Sequence, residues 1–344
     1  MAGGGTTIAA LARKNGLRVV SPEELTIRRQ RRGRGFVYLR PSGRPVRDEA
    51  TLRRFRSLAV PPAYTDVLLA EDPAAHLQAI GRDAAGRLQY RYHPDWEQVR
   101  EIRKARRLAA LAQALPRIRR KVGAALATAA PTKEFALAAV IELVACSAIR
   151  PGSESYARLR GTRGAATLLK SNLAMDGDRL TLSFRAKSGK RVVKEFACPR
   201  LAAALPVLAA LPGRRLFQYR NGAGEVVQVS APQVNTFLRE IADAPISLKD
   251  FRTLLASANA LARLAQVEPA TSERARRKQV LDVMRATSDD LANTPAICRK
   301  SYVHETIVTA FEDGVLERFA DTLKAARTPA ARARVLAEIM AQAD

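Results

Sequence analysis

The sequence predicts an α+β fold, with a small β-rich N-terminal domain and a larger, mostly helical domain that contains a short antiparallel β-hairpin sheet. Short stretches of β-branched and aromatic residues occupy positions 17–95. Long patterns rich in Ala, Leu and Arg fill positions 96–344, and one alternating segment interrupts them at residues 175–196. A chain of 344 residues also suits two domains better than one.

The β-rich domain is expected to follow a disordered tail at residues 1–16, where small residues surround a short apolar run. That run has neither the basic start nor the length of a signal peptide. Residues 51–58 predict a short helix, because prolines at 61 and 62 end it. Strands are predicted at residues 17–20, 36–40 and 76–93.

The last of these strand segments predicts a hairpin that turns at Asp83 to Gly86. Its side chains offer hydrogen-bonding, cationic and stacking groups on one ribbon, which could lie in a DNA groove. The alternative is an ordinary exposed antiparallel face. The candidate DNA-contact residues here are Gln78, Arg82, Arg87, Gln89, Tyr90, Arg91 and Tyr92, with His93 at the end of the ribbon.

The helical domain begins at Trp96 with a helix that connects it to the β-rich domain. The alternating segment at 175–196 places Lys187 at the tip of a hairpin, because Ser-Gly within Lys187 to Lys190 is a turn signal. A pair of structural helices is expected at 314–341. The other helices are predicted at residues 96–115, 133–148, 200–211, 231–243, 247–265 and 272–286.

The charge of the chain predicts a polyanionic partner, with nucleic acid the leading class. Lys and Arg number 58 and Asp and Glu number 33, which gives a net charge of +25. Membrane attachment is not expected, because no apolar run of about 18 residues is present and the basic residues are spread along the chain.

Metal-dependent chemistry is not expected, and neither is any cofactor. The chain has three His and no accompanying carboxylate cluster. Cys146, Cys198 and Cys298 are odd in number and lack the paired spacing of a zinc site, so they are expected to be free thiols in a reducing cytoplasm.

Five residues form a candidate active site. Tyr302 follows Arg299 and Lys300, a setting that suits a phenol placed to attack a phosphodiester, although without the other motifs the more ordinary interpretation is an amphipathic helix residue packed by its ring. An Arg at a helix end is commonly solvated or capping, so the order of the residues along the chain carries more weight than any one of them. They are Arg150, Lys187, Arg252, Asn293 and Tyr302.

This order closely resembles that of the bacterial and poxvirus-type DNA topoisomerases IB. The resemblance rests on IRPGSESYA, FRAKSGK, LPGRRLFQY, KDFRT and NTPAICRKSY, together with VPPAYTDV and the N-terminal hairpin, and covers about residues 17 to 310. It implies that Tyr302 is the nucleophile, that Arg150 and Arg252 hold the nonbridging phosphate oxygens, and that Lys187 is the general acid. Tyr156 and Lys249 are further expected DNA contacts.

The sequence departs from the poxvirus-type pattern at its fourth position, where Asn293 stands in place of a histidine. Asparagine does not transfer protons near neutral pH, but its amide can donate a hydrogen bond to a phosphate oxygen. His304 comes after the tyrosine, so by position it does not replace the missing histidine.

The resemblance implies an enzyme that relaxes supercoiled duplex DNA through a 3′-phosphotyrosyl bond, without ATP or an obligatory metal. It would act as a monomeric clamp on the nucleoid, in the cytoplasm. A tyrosine recombinase is the nearest alternative, but recombinases usually carry His where this chain has Lys249, and they lack the β-rich N-terminal domain. A DNA-binding protein without catalysis would account for the charge, but not for all five residues in order.

Overall fold

The computed structural model describes residues 7–326 and 329–342 and confirms the α+β fold class. The chain divides into two units, the first ending at Lys104 and the second beginning at Ala105. The boundary lies inside a long helix, α3 (Trp96–Ala127), and not in a loop or turn.

The first unit is built on a five-stranded antiparallel sheet with the strand order β2-β1-β3-β4-β5. Phe55 from a helix packs on one face of this sheet, against Ile27 and Leu69. The elements before α3 are α1 (Ile8–Lys14), β1 (Ile27–Arg32), β2 (Gly35–Leu39), α2 (Glu49–Ser57), β3 (Thr65–Leu69), β4 (Leu77–Arg82) and β5 (Leu88–Tyr92).

The predicted hairpin of β4 and β5 is confirmed. The carboxylate of Asp83 accepts hydrogen bonds from the backbone amides of Ala85 and Arg87, and Gly86 adopts φ +70°, a left-handed conformation that favours glycine. β5 lies at the edge of the sheet, so its outer side carries no neighbouring strand among the described residues.

Two expectations for this unit are wrong. Residues 17–20 contribute only an isolated bridge between Arg18 and Ala75 and lie outside the five-stranded sheet. The expected disordered tail contains α1, which Thr7 caps and whose Leu11 packs near Trp96. Residues 1–6 of that tail lie outside the described residues.

The second unit is mostly helical, as predicted, and it contains two small antiparallel sheets. Among the described residues, no helix combines the length and the apolar character needed to cross a bilayer. The helices after α3 are α4 (Lys133–Ser147), α5 (Glu154–Arg160), α6 (Pro199–Ala209), α7 (Ala231–Ala242), α8 (Leu248–Leu264), α9 (Glu273–Asp290), α10 (Pro295–Ser301), α11 (Glu305–Glu312), α12 (Ala320–Ala325) and α13 (Pro329–Gln342). The strands are β6 (Leu173–Asp176), β7 (Arg179–Arg185), β8 (Arg191–Ala197), β9 (Gln218–Arg220) and β10 (Val226–Gln228).

Helix α4 is the central element of this unit. Its central part is apolar on every side, and the residues from Phe135 to Ile141 are all buried. It packs against α6, α7 and α8, so its position is fixed from several directions. The backbone that leaves its C-terminal end therefore starts from a rigid support.

The expectation of three free thiols is wrong for two of them. Cys146, in the last turn of α4, and Cys198, directly after β8, form a disulfide that joins positions 52 residues apart. Nothing in the spacing of the cysteines signals this pairing, because the fold alone brings the ends of α4 and β8 together. Cys298 is free and buried.

Candidate active site

Tyr302 lies at the C-terminal end of α10, with its backbone held at several points. Its amide donates to the carbonyl of Cys298 at 3.0 Å, and its carbonyl accepts from the Ser257 hydroxyl at 3.0 Å. The same hydroxyl accepts from the amide of His304 at 3.2 Å. The Tyr302 residue is only 8% exposed, so its phenol starts from a fixed and largely buried position.

Arg252, on α8, is the cation nearest to this phenol. Its guanidinium carbon lies 5.0 Å from the centre of the Tyr302 ring, and the residue is 2% exposed. One terminal nitrogen donates to the carbonyl of Ala148 and the other donates to the carbonyl of Leu291 at 3.2 Å. Among the described residues, no hydrogen-bond partner reaches its Nε.

The charges around Tyr302 favour its ionised form. Burial by itself raises the pKa of the phenol, but the charge and hydrogen bonding of Arg252, with smaller contributions from Arg150 and Lys249, outweigh it. The pKa of Tyr302 therefore lies below its ordinary value. Arg252 remains a cation, although burial lowers its own pKa.

Arg150 is positioned by a tight turn at the end of α4. Ala148 adopts a left-handed conformation (φ 53°), and the backbone then runs beside Gly164. The Arg150 carbonyl accepts from the amide of Ala165 at 2.8 Å. A Cβ on Gly164 would lie 2.5 Å from the Arg150 carbonyl oxygen, so only glycine permits this approach.

Asn293, in the loop between α9 and α10, contacts Arg150 directly. Its Oδ1 accepts a hydrogen bond from the Arg150 guanidinium, although the two residues are 143 positions apart. Its Nδ2 is buried and has no hydrogen-bond partner among the described residues. A buried donor without a partner is costly in a folded protein, so this atom is a candidate for binding a ligand oxygen.

A cavity of about 360 Å³ adjoins the two arginines, and its lining includes Arg150, Arg252 and Lys194. Lys194, on β8, donates to the carbonyl of Asp290 at 2.7 Å. Burial and then the charge of Arg252 lower the pKa of Lys194 to about 8. Lys194 is not among the residues predicted from the sequence, although the alternation of β8 places it on the same inward face as Val192.

Lys187 lies at the predicted hairpin tip, between β7 and β8. Ser188 (φ 65°) and Gly189 (φ 76°) make the tight turn, and the Ala186 amide donates to the Lys190 carbonyl at 2.7 Å. Lys187 is exposed. Among the described residues, no hydrogen bond joins its side chain to the other four candidate residues, so the structure brings together four of the five and leaves Lys187 on the exposed tip.

The candidate DNA contacts of the β4–β5 hairpin divide into two groups. Gln78 is 1% exposed and its amide donates to the backbone carbonyls of Pro73 and Ala75, so its assignment as a DNA contact is wrong. Its side chain faces the interior, because it packs against the loop that precedes β4 and binds the carbonyls of that loop. The others retain some exposure: Arg82, Arg87, Gln89, Tyr90, Arg91 and Tyr92.

Within the exposed group, Tyr90 and Tyr92 are stacked, with ring centres 6.2 Å apart on the same side of β5. Asp83 engages two of the others, since its carboxylate pairs with Arg87 at 2.7 Å and accepts from Gln89 at 2.9 Å. Tyr90 and Tyr92, at 44% and 41% exposure, therefore remain the best-placed stacking surface of this unit.

Three further residues have clear positions in the second unit. Tyr156 is 51% exposed on α5, with the Arg160 guanidinium carbon 5.4 Å from its ring centre. Lys249, exposed on the first turn of α8, lies close enough to Tyr302 to lower its pKa. His304 caps α11, where its Nδ1 accepts from the Thr306 amide at 3.3 Å.

Comparison with known proteins shows similarity to two protein families and to a viral protein. A family described as the catalytic core of eukaryotic DNA topoisomerase I matches residues 93–328, and one described as the N-terminal domain of bacterial DNA topoisomerase IB matches residues 35–83. The chain is 28% identical over 284 residues to the DNA topoisomerase 1B of Acanthamoeba polyphaga mimivirus. That match covers 80% of this chain and 84% of the viral protein.

Proposed function

Because this chain belongs to the type IB DNA topoisomerase family, an isomerase family that acts on DNA, we propose that it relaxes supercoiled duplex DNA by transient cleavage of one strand. In this proposal the Tyr302 oxygen attacks the phosphorus and the 5′-oxygen leaves. A 3′-phosphotyrosyl bond then holds the broken strand. The free 5′-hydroxyl later attacks that bond, which reseals the strand with no external energy source.

The pair of Tyr302 and Arg252 supports the first step. An ordinary phenol with a pKa of about 10 is ionised to roughly one part in a thousand at pH 7, a deficit of about 4 kcal/mol. The charge of Arg252, beside the Tyr302 ring, lowers this deficit. Since Arg252 is almost wholly buried, its charge acts with little screening by water.

The observation that carries the proposal is a pair of unpartnered buried donors, Arg252 Nε on the guanidinium beside this phenol and Asn293 Nδ2 on the residue that binds Arg150. In the transition state of phosphoryl transfer, negative charge spreads over the nonbridging oxygens, and prepositioned donors stabilise it. Arg150 adds a second guanidinium, and its contact with Asn293 fixes the orientation of the amide. A phosphodiester would thus supply acceptors for donors that the protein leaves unused.

Lys187 is proposed to protonate the departing 5′-oxygen. General acids of this kind contribute typically about 10²- to 10⁴-fold to a rate. The lysine is on a hairpin tip with strained, exposed turn residues. We propose that bound DNA draws this tip toward the scissile phosphate, so that the acid is in place only when the substrate is present.

The remaining features are proposed to hold the duplex. A net charge of +25 suits phosphate contacts, and the stacked pair of Tyr90 and Tyr92 on an edge strand suits contact with sugars or bases. Tyr156 and Lys249 are proposed as further contacts near the cleaved strand. We also propose that the protein acts as a monomer, prefers supercoiled DNA and works on the nucleoid in the cytoplasm.

The test is covalent trapping on a nicked suicide substrate, with plasmid relaxation in EDTA and without ATP as the companion assay. Wild-type protein is expected to relax the plasmid and to carry DNA on the peptide that contains Tyr302, through a 3′-phosphate. Tyr302→Phe should trap nothing while still binding duplex DNA.

Tyr219→Phe is the matched control, because Tyr219 is also buried in the second unit and should behave as wild type. An adduct on Tyr302→Phe, a 5′-phosphate linkage, or an absolute need for ATP or a metal would refute the proposed mechanism. Strand exchange between two duplexes without relaxation would favour a recombinase.

A further inference from the structure

The disulfide between Cys146 and Cys198 joins two segments that lead to the candidate active site. Cys146 is four residues before Arg150, and Cys198 directly follows β8, the second strand of the Lys187 hairpin. Between Cys146 and Arg150 lies Ala148, whose carbonyl accepts a hydrogen bond from Arg252. The disulfide therefore constrains the backbone segment that positions both Arg150 and Arg252.

A carboxyl group accompanies the two sulfur atoms. Glu142, one helical turn before Cys146 on α4, has Oε1 4.0 Å from the Sγ of Cys198. A carboxylate oxygen of Glu142 and the Sγ atoms of Cys146 and Cys198 all lie within 4.8 Å of one another. Burial raises the pKa of Glu142, with the charges of Arg200 and Arg119 opposing it, so this carboxyl holds its proton more readily than an ordinary glutamate.

The two sulfur atoms differ in access. Cys146 and Glu142 line a cavity of about 240 Å³, whose walls also include Phe251 and Leu254. Cys198 is 2% exposed and caps the N-terminal end of α6, where the partial positive charge of the helix stabilises a thiolate. Cys146 is thus the sulfur that an external thiol can reach, and Cys198 is the better leaving group.

We propose that Cys146, Cys198 and Glu142 form a thiol–disulfide exchange site for a small dithiol, and that its state sets how firmly Ala148 and Arg150 are held. The thiolate of the dithiol attacks the Sγ of Cys146, and the Cys146–Cys198 bond breaks. Cys198 departs with the electron pair, and its sulfur is protonated from solvent through the Glu142 carboxyl, whose Oε1 lies 4.0 Å away. The second thiol of the dithiol then attacks the dithiol sulfur that is bonded to Cys146, and the Cys146 thiol is released. The protein disulfide is reduced to two thiols, and the dithiol is oxidised to a cyclic disulfide.

Exchange at this site is tested without DNA, on the full-length protein, with dithiothreitol and its oxidised form as probes. Alkylation after denaturation should count one thiol, that of Cys298, in the oxidised protein and three in the reduced protein. Glu142→Gln should slow reduction at pH 7 at least about tenfold, because the proton donor is lost. Glu134→Gln, an exposed position on the same helix, is the control and should react as wild type.

Three thiols after treatment with the oxidised probe would overturn the proposal. Equal reduction rates for Glu142→Gln and Glu134→Gln would do so as well, because the carboxyl would then have no part in the exchange.

The coupling to the active site is tested by two readouts, of which the second rests on the proposed function. Reduction should increase amide hydrogen exchange at least about tenfold across Ala148 to Arg150, because the end of α4 loses its tether. It should also slow plasmid relaxation several-fold, and reoxidation should restore the rate. Cys146→Ser should resemble the reduced wild type under both conditions.

These readouts separate the two proposals. Unchanged hydrogen exchange on reduction, with the thiol counts as expected, would overturn the coupling. Increased exchange in a protein that relaxes no plasmid in either state would instead count against the proposed function and would leave the exchange site supported.

Discussion

Replacing Asn293 by Ala should slow DNA cleavage by about 10²- to 10³-fold, the effect of removing one prepositioned donor from an oxyanion site. The reason is the Nδ2 of Asn293, which is buried beside Arg150 and has no partner within the described structure. A nonbridging phosphate oxygen would be its first acceptor. A loss of 10²-fold corresponds to about 2.7 kcal/mol of transition-state stabilisation.

The same substitution should leave stability nearly unchanged, within about 1 kcal/mol. The variant loses the hydrogen bond from Arg150 to Oδ1, which as a charge-assisted bond contributes about 1.5–3 kcal/mol. It also removes an unsatisfied buried donor, which costs the wild type about 1–3 kcal/mol. These two effects have opposite signs and similar size, so they should largely cancel.

Single-turnover cleavage of a nicked suicide substrate and urea unfolding measure the two quantities. Asn293→Asp should cleave more slowly still, because a carboxylate repels the phosphate, whereas Asn293→His should retain activity, because an imidazole N–H can donate at this position. Asn221→Ala, in the turn between β9 and β10, is the control and should cleave normally although it loses local hydrogen bonds. Cleavage by Asn293→Ala within about threefold of wild type, or an active Asn293→Asp, would refute the role of Nδ2.

Three other predictions test the surroundings of the site. A 5′-bridging sulfur, which leaves without a proton, should rescue cleavage by Lys187→Ala, and no rescue would refute the general acid. Gly164→Ala should lower stability by about 1–3 kcal/mol and slow cleavage, because its Cβ would collide with the Arg150 carbonyl, whereas Gly222→Ala has open space; equal stabilities would refute the collision. The folded-state pKa of Lys194 is about 8, below its ordinary 10.5. Between these two pH values the native state therefore binds fewer protons than the unfolded state. The free energy of unfolding should accordingly rise by as much as about 3 kcal/mol as pH rises through that window. Unfolding of Lys194→Met across pH 7 to 10.5 should lack that rise, and a constant difference from wild type would refute it.

The sequence predicted the elements with strong local signals and missed those without them. The β4–β5 hairpin was predictable because Asp83 and Gly86 supply the turn chemistry and the flanking residues alternate. β1 was missed because its sequence, IRRQRR, contains a single buried residue, Ile27. Its place in the sheet comes from a tight hairpin with β2 and from long-range pairing with β3, and a strand with so few apolar residues signals neither.

The candidate site shows the same division at the level of single atoms. The order of residues along the chain indicated Arg150, Asn293 and Tyr302, but no sequence pattern could show that Arg150 binds Asn293 across 143 residues. Lys194 was overlooked because a lysine on a strand normally faces solvent, and only the inward register of β8 signalled otherwise. The Glu142 carboxyl beside Cys198 was equally invisible, since the packing of separate elements creates it.

Arg252 illustrates why the role of a residue depends on what its neighbours leave unsatisfied. Two of its nitrogens hold the carbonyls of Ala148 and Leu291, so the guanidinium ties the end of α4 to the loop that carries Asn293. Its Nε has no partner among the described residues, and its charge lies beside the Tyr302 ring, so both are available to a phosphate. A lysine at this position would carry all its N–H donors on a single nitrogen, so it could not reach both carbonyls and the substrate. Loss of activity in an Arg252 variant would therefore mix structural and chemical effects, whereas the structural effect of an Asn293 variant is confined to one hydrogen bond, that from Arg150.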